Sequence, residues 1–570
     1  MNQTRSFLLI AWLIVAALLW MQWSQPQLPA GVAAPAASAP AQGPETPAAL
    51  PAAMPEVALP SGTATTTSAA PAKAVARASE QITLQNDVLT LTVDLDDASV
   101  VSAQLREYTL EKKAGSTNIT LFTTEPDRSY NAQSGLLQVD AGQHEHELAT
   151  PFRTEDRRRA YELTPGQDRV MAPLVWTDPA TGLSVRRELS LRRGSYVLEQ
   201  RLSVANTGSE SQRLYPFVAL ERVAPPAPPT HSFMTNPESF SFIGAAWYSP
   251  TDKFEKAKFS DYAGHTPLNK SITGGWIGML QHHFVTAWVP TAGEAQVVSL
   301  ATSDRAGVPV YRVRSVAAPI DLPAGIQQTR SSRLWVGPKL QAPLAKLAPS
   351  LRLSVDYGIF TVIAQPLFWV LSWLHGLFGN WGWAIIAIVV LLKAALFWVS
   401  KKQYQSMAKM RRLQPRLEAL KERYGDDRQK FAAAQMELFK KEKINPLGGC
   451  LPALVPMPIF LALYWVLIET VELRQAPWMG WIQSLTDADP YFVLPTLNLV
   501  VMYLTQRLTP TPGMDPMQKK MMQFMPLVFG VMMAFFPAGL VLYWVTNGLL
   551  GLIQQWWMTK QYAEAPATVS

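Results

Sequence analysis

Lys393 lies in an otherwise uncharged and strongly apolar stretch of the chain. Residues 358 to 392 contain no Asp, Glu, Lys or Arg, and the next charged residue after Lys393 is Lys401. At the rise of an α-helix the two lysines are about 12 Å apart, and a lysine at mid-membrane costs ~2.5–3.5 kcal/mol. One interpretation is that the side chain simply extends towards the membrane surface. We favour a water-filled cavity that attracts an acidic, hydrated polypeptide segment.

The other apolar segments contain no carboxylate that could pair with this lysine. Their polar side chains are therefore the candidates to line a wet, positive groove together with Lys393. The predicted groove residues are Asn498, Gln506, Thr546 and Asn547.

Neither a cofactor nor a metal is predicted. The chain has no Gly-x-x-x-x-Gly-Lys-Ser/Thr loop, so no nucleotide site is expected. His144 and His146 could share one strand face, but no third ligand is evident, and we interpret them as exposed loop residues. His282 and His283 are interpreted as structural. Cys450 is the only cysteine and has no accompanying base, which favours simple apolar packing.

Six apolar segments are predicted to cross a membrane. Hydrophobic residues make up 48% of the 570 and charged residues only 16%, against about 25% charged in soluble domains. Pro537-Ala538-Gly539 divides the last long run, which is too long for one crossing, into two spans. The segments are an N-terminal anchor within residues 1–24, then 381–400, 447–468, 491–506 and the two halves of 521–558.

Two further features of the apolar segments follow from their lengths and breaks. The first segment could instead be a cleaved signal peptide, because Ala-x-Ala patterns follow it. Residues 351–380 are predicted to contain an aromatic-rich amphipathic helix lying in the membrane interface. Pro366 and the stretch from Gly376 to Gly379-Asn380 are expected to break this region.

The loop charges predict the orientation of the chain. Loop 399–446 holds 13 basic and 6 acidic residues, whereas loop 469–489 holds one basic and four acidic residues. Because basic loops stay in the cytoplasm, the N-terminus, the first of these loops and the C-terminal tail (residues 561–570) are predicted to be cytoplasmic. The segment between the first two spans is then exported.

The basic loop is predicted to form a helical hairpin over residues 401–445. Apolar residues recur at helical spacing, Pro415 suits a first helical turn, and Asp427 is a candidate N-cap of the second helix. The first helix presents Met410, Leu413, Leu417, Leu420 and Tyr424, and the second presents Phe431, Ala434 and Leu438. The hairpin is either a solvated element or a docking surface for a ribosome, a targeting factor or the substrate.

The exported segment divides into a linker and a folded domain. Residues 25–80 are rich in Ala and Pro and show no period, which indicates an extended tether. Residues 81–350 show period-two alternation, as in Leu89, Leu91 and Val93, which predicts a large antiparallel β-sandwich. This domain carries 27 basic and 27 acidic residues. The net charge of +7 therefore reflects topology, and sequence-specific nucleic-acid binding is not expected.

Several motifs resemble the YidC family of bacterial membrane protein insertases, part of the Oxa superfamily. They include Gly448-Gly449-Cys450-Leu451-Pro452, Met457-Pro458-Ile459-Phe460, Asp515-Pro516-Met517-Gln518 and Phe536-Pro537-Ala538-Gly539. In the exported domain, Gly274-Gly275-Trp276 and Leu334-Trp335-Val336-Gly337-Pro338 are similar to the Gram-negative form. The resemblance covers nearly the whole chain except the linker.

The resemblance implies a polytopic α-helical membrane protein in the bacterial inner membrane. Its five-span core would occupy residues 381–560 and follow a periplasmic β-supersandwich similar to galactose mutarotase. The groove would open to the cytoplasm and to lipid, and its positive residue is typically arginine, so Lys393 is a departure. Lysine keeps the positive charge of arginine but lacks its planar guanidinium group with five N–H donors. The resemblance also places Met457, Phe460, Tyr543 and Trp544 in contact with the substrate.

The function implied is an insertase and chaperone, not an enzyme. Its partners would be nascent membrane proteins, the lipid bilayer and the Sec translocon, with a ribosome or targeting factor possible at the hairpin. Two alternatives remain at this point. A solute transporter or channel is opposed by the single intramembrane charge and the lack of paired repeats. A sugar-binding or sugar-converting β-sandwich would require a site that the histidines do not form.

Overall fold

The computed structural model of the protein describes residues 80–113, 115–140, 144–225, 241–262, 269–402, 405, 413–424, 427–441, 457–508 and 516–563. Several predictions therefore lie outside the described residues. These are the N-terminal anchor, the linker up to residue 79, Met410 with parts of the predicted hairpin, residues 447–456 of a predicted span with Cys450 and its glycine motif, and the tail after residue 563.

The first half of the described chain is built from short strands whose side chains alternate between a buried and an exposed face. Strand β2 buries Leu89, Leu91 and Val93 and turns its threonines outward, as the period of two predicts. The strands are β1 (Gln81–Gln85), β2 (Leu89–Asp94), β3 (Val100–Thr109), β4 (Asn118–Phe122), β5 (Tyr130–Val139), β6 (Glu145–Glu147), β7 (Arg153–Thr154), β8 (Ala160–Glu162), β9 (Arg169–Asp178), β10 (Leu183–Arg192), β11 (Val197–Asn206), β12 (Gln212–Val223), β13 (Gly244–Ser249), β14 (Lys253–Lys258), β15 (Asn269–Thr273), β16 (Trp276–Leu280), β17 (Phe284–Val289), β18 (Ala295–Arg305), β19 (Val308–Ala317), β20 (Ile320–Leu322) and β21 (Gln327–Pro338).

These strands form two large sheets within the described residues. One sheet runs β15-β18-β19-β12-β5-β3-β2-β1-β8, with β20, β4 and β6 paired to its members, and the other runs β14-β13-β16-β17-β21-β11-β10-β9-β7. Neighbouring strands are antiparallel except β1 and β8, which pair in parallel. The large β-rich domain predicted from the alternation is therefore present.

The core of the β-domain lies between the two sheets. Trp288 of β17 is 1% exposed, and its indole nitrogen donates to the carbonyl oxygen of Ala219 in β12 at 3.1 Å, across the sandwich. Arg187 is also 1% exposed and reaches Ser134 of the opposite sheet, donating to both its Oγ and its carbonyl oxygen at 3.0 Å. Buried polar groups that find partners in this way fix how the two sheets face each other.

Helices make up the second half of the described chain. A short α1 (Phe259–Tyr262) lies within the β-domain and α2 (Gln341–Leu347) follows its last strand. The remaining helices are α3 (Thr361–Phe378), α4 (Trp381–Ala395), α5 (Gln414–Tyr424), α6 (Arg428–Lys441), α7 (Met457–Glu469), α8 (Val493–Leu508), α9 (Pro516–Met533) and α10 (Ala538–Ala563).

The helices share a second hydrophobic core, separate from that of the β-domain. Ala364, Leu367, Leu371 and Leu374 of α3 are buried at 3,4,3 spacing against α4 and α7. The opposite face of α3 exposes large apolar side chains, with Trp369 70% and Val362 84% exposed. An exposed apolar surface of this kind on one helix indicates contact with lipid.

Helix α3 departs from the prediction in one respect. Pro366 lies inside the helix and does not break it. Because it stands in the second turn, its ring removes only one backbone hydrogen bond, and the buried face on either side keeps the helix together. Gly379 does end the helix, since it adopts a left-handed conformation with φ of 66° and donates to His375 O.

Among the described residues, one helical segment, Gly358–Phe378, is both long enough and apolar enough to cross a membrane. Trp381–Ala395, Met457–Glu469 and Gln523–Met533 are apolar but shorter. The predicted span 381–400 is interrupted at Leu396, after which the helical backbone resumes to residue 402.

Candidate functional site

A cavity among the helices surrounds the lysine that the sequence singled out. It is small, with a volume of about 30 Å³, and lies between α4, α7 and α10. Its lining consists of Val389, Leu392, Lys393, Leu396, Ser400, Phe460, Tyr543 and Asn547. The predicted cationic residue therefore stands in a cavity together with three further predicted site residues, Phe460, Tyr543 and Asn547.

Helical spacing brings these side chains together. On α4 and its continuation, Lys393, Leu396 and Ser400 are three and then four residues apart, so they share one face. On α10, Tyr543 and Asn547 are four residues apart, and Gly551 extends the same face. A Cβ atom built on Gly551 would lie 3.4 Å from Lys393 Nζ, so this glycine leaves room beside the ammonium group.

Two polar atoms at this cavity have no hydrogen-bond partner within the described residues. They are Tyr543 Oη and Asn547 Oδ1, and both are buried. Buried polar atoms are normally paired, so a cavity that holds two such atoms is suited to water or to a polar guest. The ring of Tyr543 packs edge to face on Phe460, with centroids 5.8 Å apart, which joins α10 to α7.

The other predicted groove residues lie outside this lining. Asn498 is 4% exposed and its Nδ2 lies 3.6 Å from Met502 Sδ on the same helix. Thr546 donates its hydroxyl to Leu542 O at 2.8 Å, within its own helix. Gln506 lies near the end of α8. Thr546 and Asn547 are adjacent and point about 100° apart on the helix, and of the two only Asn547 lines the cavity.

The remaining predicted substrate-contact residues flank the cavity without lining it. Met457 begins α7 and is 48% exposed. Trp544 packs against Phe536, with centroids 5.8 Å apart, and against Tyr543 at 6.4 Å. Met457 is therefore available to a neighbouring apolar segment, whereas Trp544 forms part of an aromatic cluster.

An outer loop, residues 470–492, packs across the ends of α4 and α10. Asn380 caps α4 by accepting from Gly382 N at 2.9 Å and Trp383 N at 3.2 Å, and its amide donates to Trp478 O at 3.0 Å. Gly539, in the first turn of α10, donates its backbone N–H to Leu485 O at 2.8 Å. A side chain at Gly382 would collide with Trp478, whose Cδ1 would be 2.1 Å from its Cβ.

The β-domain contacts the same outer loop. Lys112, in the turn after β3, donates to Gln475 O at 2.6 Å and to Gln483 O at 2.7 Å. Arg474 donates in the reverse direction, to Thr109 O at 2.8 Å. Hydrogen bonds through this loop thus connect the β-domain to the helical core.

His144 and His146 both contact the same carboxylate, that of Asp140. His146 lies on β6 and not in a loop as expected, and both rings are exposed and contact Asp140 Oδ2, at 3.3 Å and 3.1 Å. These hydrogen bonds, with the His144 backbone N–H first, lower the pKa of Asp140 to about 2. No group of three metal-ligating side chains occurs among the described residues.

The described residues combine a two-sheet β-domain with a helical core that exposes apolar surface and holds a cavity lined by Lys393. This arrangement suits a membrane protein with a polar site among its helices. Two family models agree and together cover the chain from residue 81 to residue 565. The YidC periplasmic domain matches residues 81–370 and the 60Kd inner membrane protein family matches residues 373–565. The chain belongs to the YidC family of membrane protein insertases.

Two relatives are matched along nearly their whole length. The chain is 50% identical to a protein of Xanthomonas campestris pv. campestris strain 8004 named membrane protein insertase YidC, with 100% of this chain and 99% of that protein covered. It is 49% identical to the protein of the same name from Stenotrophomonas maltophilia strain R551-3, with 99% and 98% covered.

Two solved structures are similar in part. An active YidC insertase crystal structure has a TM-score of 0.36 at 16% identity and covers 84% of this chain and 92% of that one. A galactose mutarotase related enzyme from Lactobacillus acidophilus has a TM-score of 0.29 at 11% identity, over 45% of this chain and 97% of that one. At these TM-scores the family assignment rests on the sequences.

Proposed function

We propose that the chain inserts nascent membrane proteins by admitting the polar flank of a substrate span to the Lys393 cavity. The apolar part of the substrate then lies against the exposed side of α7, beside Met457 and Phe460. The observation that carries the proposal is the shared cavity of Lys393, Asn547, Tyr543 and Phe460, which joins a cation and unpartnered polar atoms to an aromatic wall.

The energetic role of the cavity is to shorten the dry distance that the polar flank must cross. Moving a polar or charged segment through hydrocarbon is costly unless it is hydrated or hydrogen-bonded. Lys393 attracts an acidic flank, and Tyr543 and Asn547 offer hydrogen bonds to it. Burial of the substrate's apolar residues in lipid supplies the driving force, at ~25 cal/mol per Å².

The setting we propose is the bacterial inner membrane, with the β-domain in the periplasm and both termini in the cytoplasm. Helices α5 and α6 then lie on the cytoplasmic side. They pack through Leu413, Leu417 and Phe439, and Asp427 caps α6 by accepting from Gln429 N at 3.1 Å and Lys430 N at 3.0 Å. Their outer faces are basic, so we propose them as the contact for a ribosome or targeting factor.

The Sec translocon is a further proposed partner, and this proposal rests on membership of the family alone. We propose no catalytic chemistry for the chain.

The charge at residue 393 provides the first test. In proteoliposomes, Lys393→Glu is expected to reduce insertion of a single-span substrate with an acidic exported flank by at least about tenfold, or ~1.4 kcal/mol of barrier. Lys393→Arg is expected to keep most of the rate, because it keeps the charge. A substrate with a neutral flank should be affected much less.

Lys402→Glu is the matched control, because this lysine lies on the helical segment that resumes after Leu396 and is exposed. Equal and full insertion by Lys393→Glu and Lys393→Arg would show that the cavity plays no electrostatic role. Solute leakage without protein insertion would instead support a channel.

A further inference from the structure

Two adjacent histidines of the β-domain meet the outer end of α7. His282 and His283 occupy the turn between β16 and β17, and their rings are stacked with centroids 3.7 Å apart. The Nε2 atoms of the two rings lie 3.2 Å and 3.1 Å from the same acceptor, the carbonyl oxygen of Ile468. Ile468 is the penultimate residue of α7.

This carbonyl belongs to a part of the helix that needs an external partner. The last four carbonyl groups of a helix have no intrahelical donor, and a glycine in a left-handed conformation commonly satisfies them. The sequence Ile468-Glu469-Thr470 contains no glycine. The chain instead supplies the donors from a strand turn about 185 residues earlier.

The acceptor determines the protonation state of the two rings. A carbonyl oxygen can only accept, so each ring carries its hydrogen on Nε2 and leaves Nδ1 bare. Burial in the junction, with Arg474 and Lys339 nearby, lowers the pKa of His283 to about 3 and that of His282 well below its usual value. The two rings are therefore neutral donors near pH 7.

The residue that follows Ile468 is held by the same domain. Glu469 is 1% exposed, and its Oε1 accepts from the hydroxyl of Ser241 at 2.6 Å. Lys339, also 1% exposed, attracts Glu469 electrostatically, and its backbone N–H donates to His283 O at 2.9 Å. The outer end of α7 is thus fixed through both its backbone and its last side chain.

We propose that His282 and His283 are positioning residues for insertion, which fix the axial position and rotation of α7 through Ile468. Phe460 and Met457 are eight and eleven residues from Ile468 on this helix, about 12 and 17 Å along its axis. A helix of this length is stiff, so a shift at its outer end moves both side chains relative to Lys393. The inference rests on the proposed substrate contact of Met457 and Phe460.

Paired substitutions separate hydrogen bonding from packing. His282→Gln with His283→Gln keeps a donor close to the position of each Nε2, whereas His282→Phe with His283→Phe keeps ring size and burial but removes both donors. His144→Phe with His146→Phe is the matched control, because those rings are exposed in the same domain.

The main readout is the register of cross-links between α7 and a substrate. In the full-length chain with Cys450→Ser, Phe460→Cys supplies one cysteine, and each of a series of stalled nascent substrates carries a single cysteine at a different position of its span. Oxidation then forms a disulfide between the two cysteines, and its yield is measured for each substrate position. We expect the Phe pair to displace the cross-linking maximum by at least one residue or to spread it, and to reduce insertion several-fold. The Gln pair should restore both, and the control pair should change neither.

A wild-type register in the Phe pair, or equal loss in the Phe and Gln pairs, would overturn the positioning role. Absence of any cross-link from Phe460→Cys in the otherwise native chain would instead contradict the proposed function. The distance between spin labels at Lys113 and Leu461, both exposed, measures the position of α7 without a substrate. An unchanged distance distribution in the Phe pair would likewise overturn the inference.

Discussion

At the scale of single residues, the cavity shows what helical spacing can predict and what it cannot. The charge of Lys393 within an uncharged run predicts a polar site, and the structure places this residue in the lining of a cavity. The sequence predicted both Thr546 and Asn547 as groove residues, but only Asn547 lines the cavity, whereas Thr546 bonds to its own helix. Gly551 is four residues from Asn547, so its position beside Lys393 could have been predicted from helical spacing. A glycine has no side chain, however, and therefore gives no chemical signal of its own.

Gly551 provides a prediction about access to the lysine. Gly551→Ala should be tolerated, because its Cβ would stand at an ordinary contact distance of 3.4 Å from Lys393 Nζ. Gly551→Leu would place a branched side chain over the ammonium group. We expect this variant to insert substrates with acidic flanks roughly tenfold more slowly, a loss of ~1.4 kcal/mol. The insertion assay used for Lys393 measures this, and a wild-type rate for Gly551→Leu would show that access from this side is unimportant.

Glu472 predicts a pH-dependent stability. It lies in the turn after α7, and burial raises its pKa to about 7, although backbone hydrogen bonds from Glu472 itself and from Gln341 oppose the shift. The folded chain therefore takes up a proton near pH 7 that the unfolded chain takes up only near its ordinary value of 4.5. The contribution of Glu472 to stability must rise as the pH falls from above 7 towards 4.5.

The variant Glu472→Gln isolates this contribution. We expect the variant to be more stable than the wild type at pH 8, and the difference to shrink at pH 6 and pH 5. Urea unfolding of the full chain in detergent at each pH measures the difference. His282 and His283 contribute with the opposite sign, because their lowered pKa values favour unfolding as the pH falls below 6.5, but they are common to both proteins. A pH-independent difference would contradict the prediction.

At the scale of elements, the ends of the helices were more predictable than their partners. Pro415 in the first turn of α5, the cap at Asp427 and the break at Gly379 all follow from local chemistry. The buried face between α5 and α6 was predicted less well, since Phe439 and not Leu438 is the most deeply buried residue of α6. A one-residue error of this kind arises because several apolar neighbours fit the same period.

The cap of α4 gives a prediction at this scale. Asn380→Ala removes both the cap of the helix and the hydrogen bond to the outer loop, at an expected cost of ~1–2 kcal/mol. Asn380→Ser keeps an acceptor for the first turn but loses the donation to Pro477 O and Trp478 O. Hydrogen exchange should therefore accelerate in both α4 and residues 476–485 for the alanine variant, and only in the loop for serine. Identical exchange in the two variants would refute the double role of Asn380.

At the scale of the whole molecule, local patterns predicted the two halves but not their junction. Alternation predicted the β-domain, and apolar runs predicted the helices around the cavity. The contact of His283 with Ile468 joins residues 185 positions apart, and no period in either segment indicates the other. Contacts of this kind depend on which surfaces meet after each half has folded, which local propensity does not encode.

The orientation of the molecule is open to a direct test. With Cys450→Ser, a cysteine at Lys113 in the β-domain should react with an impermeant maleimide added to spheroplasts. A cysteine at Glu437 on α6 should react only after lysis, because the basic loop that contains it is predicted to be cytoplasmic. Both side chains are exposed, so accessibility within the fold does not limit the reaction. Labelling of Glu437→Cys in intact spheroplasts would reverse the proposed topology.

The paired imidazoles also have a consequence for how the protein itself is made. Synthesis runs from the N-terminus, so the β-domain leaves the ribosome well before α7 does. Its strand turn can be folded and waiting when Ile468 reaches the outer surface. The folded β-domain would then bind the end of α7 as that helix emerges. A newly made copy would in this way use its own first half to position its second half.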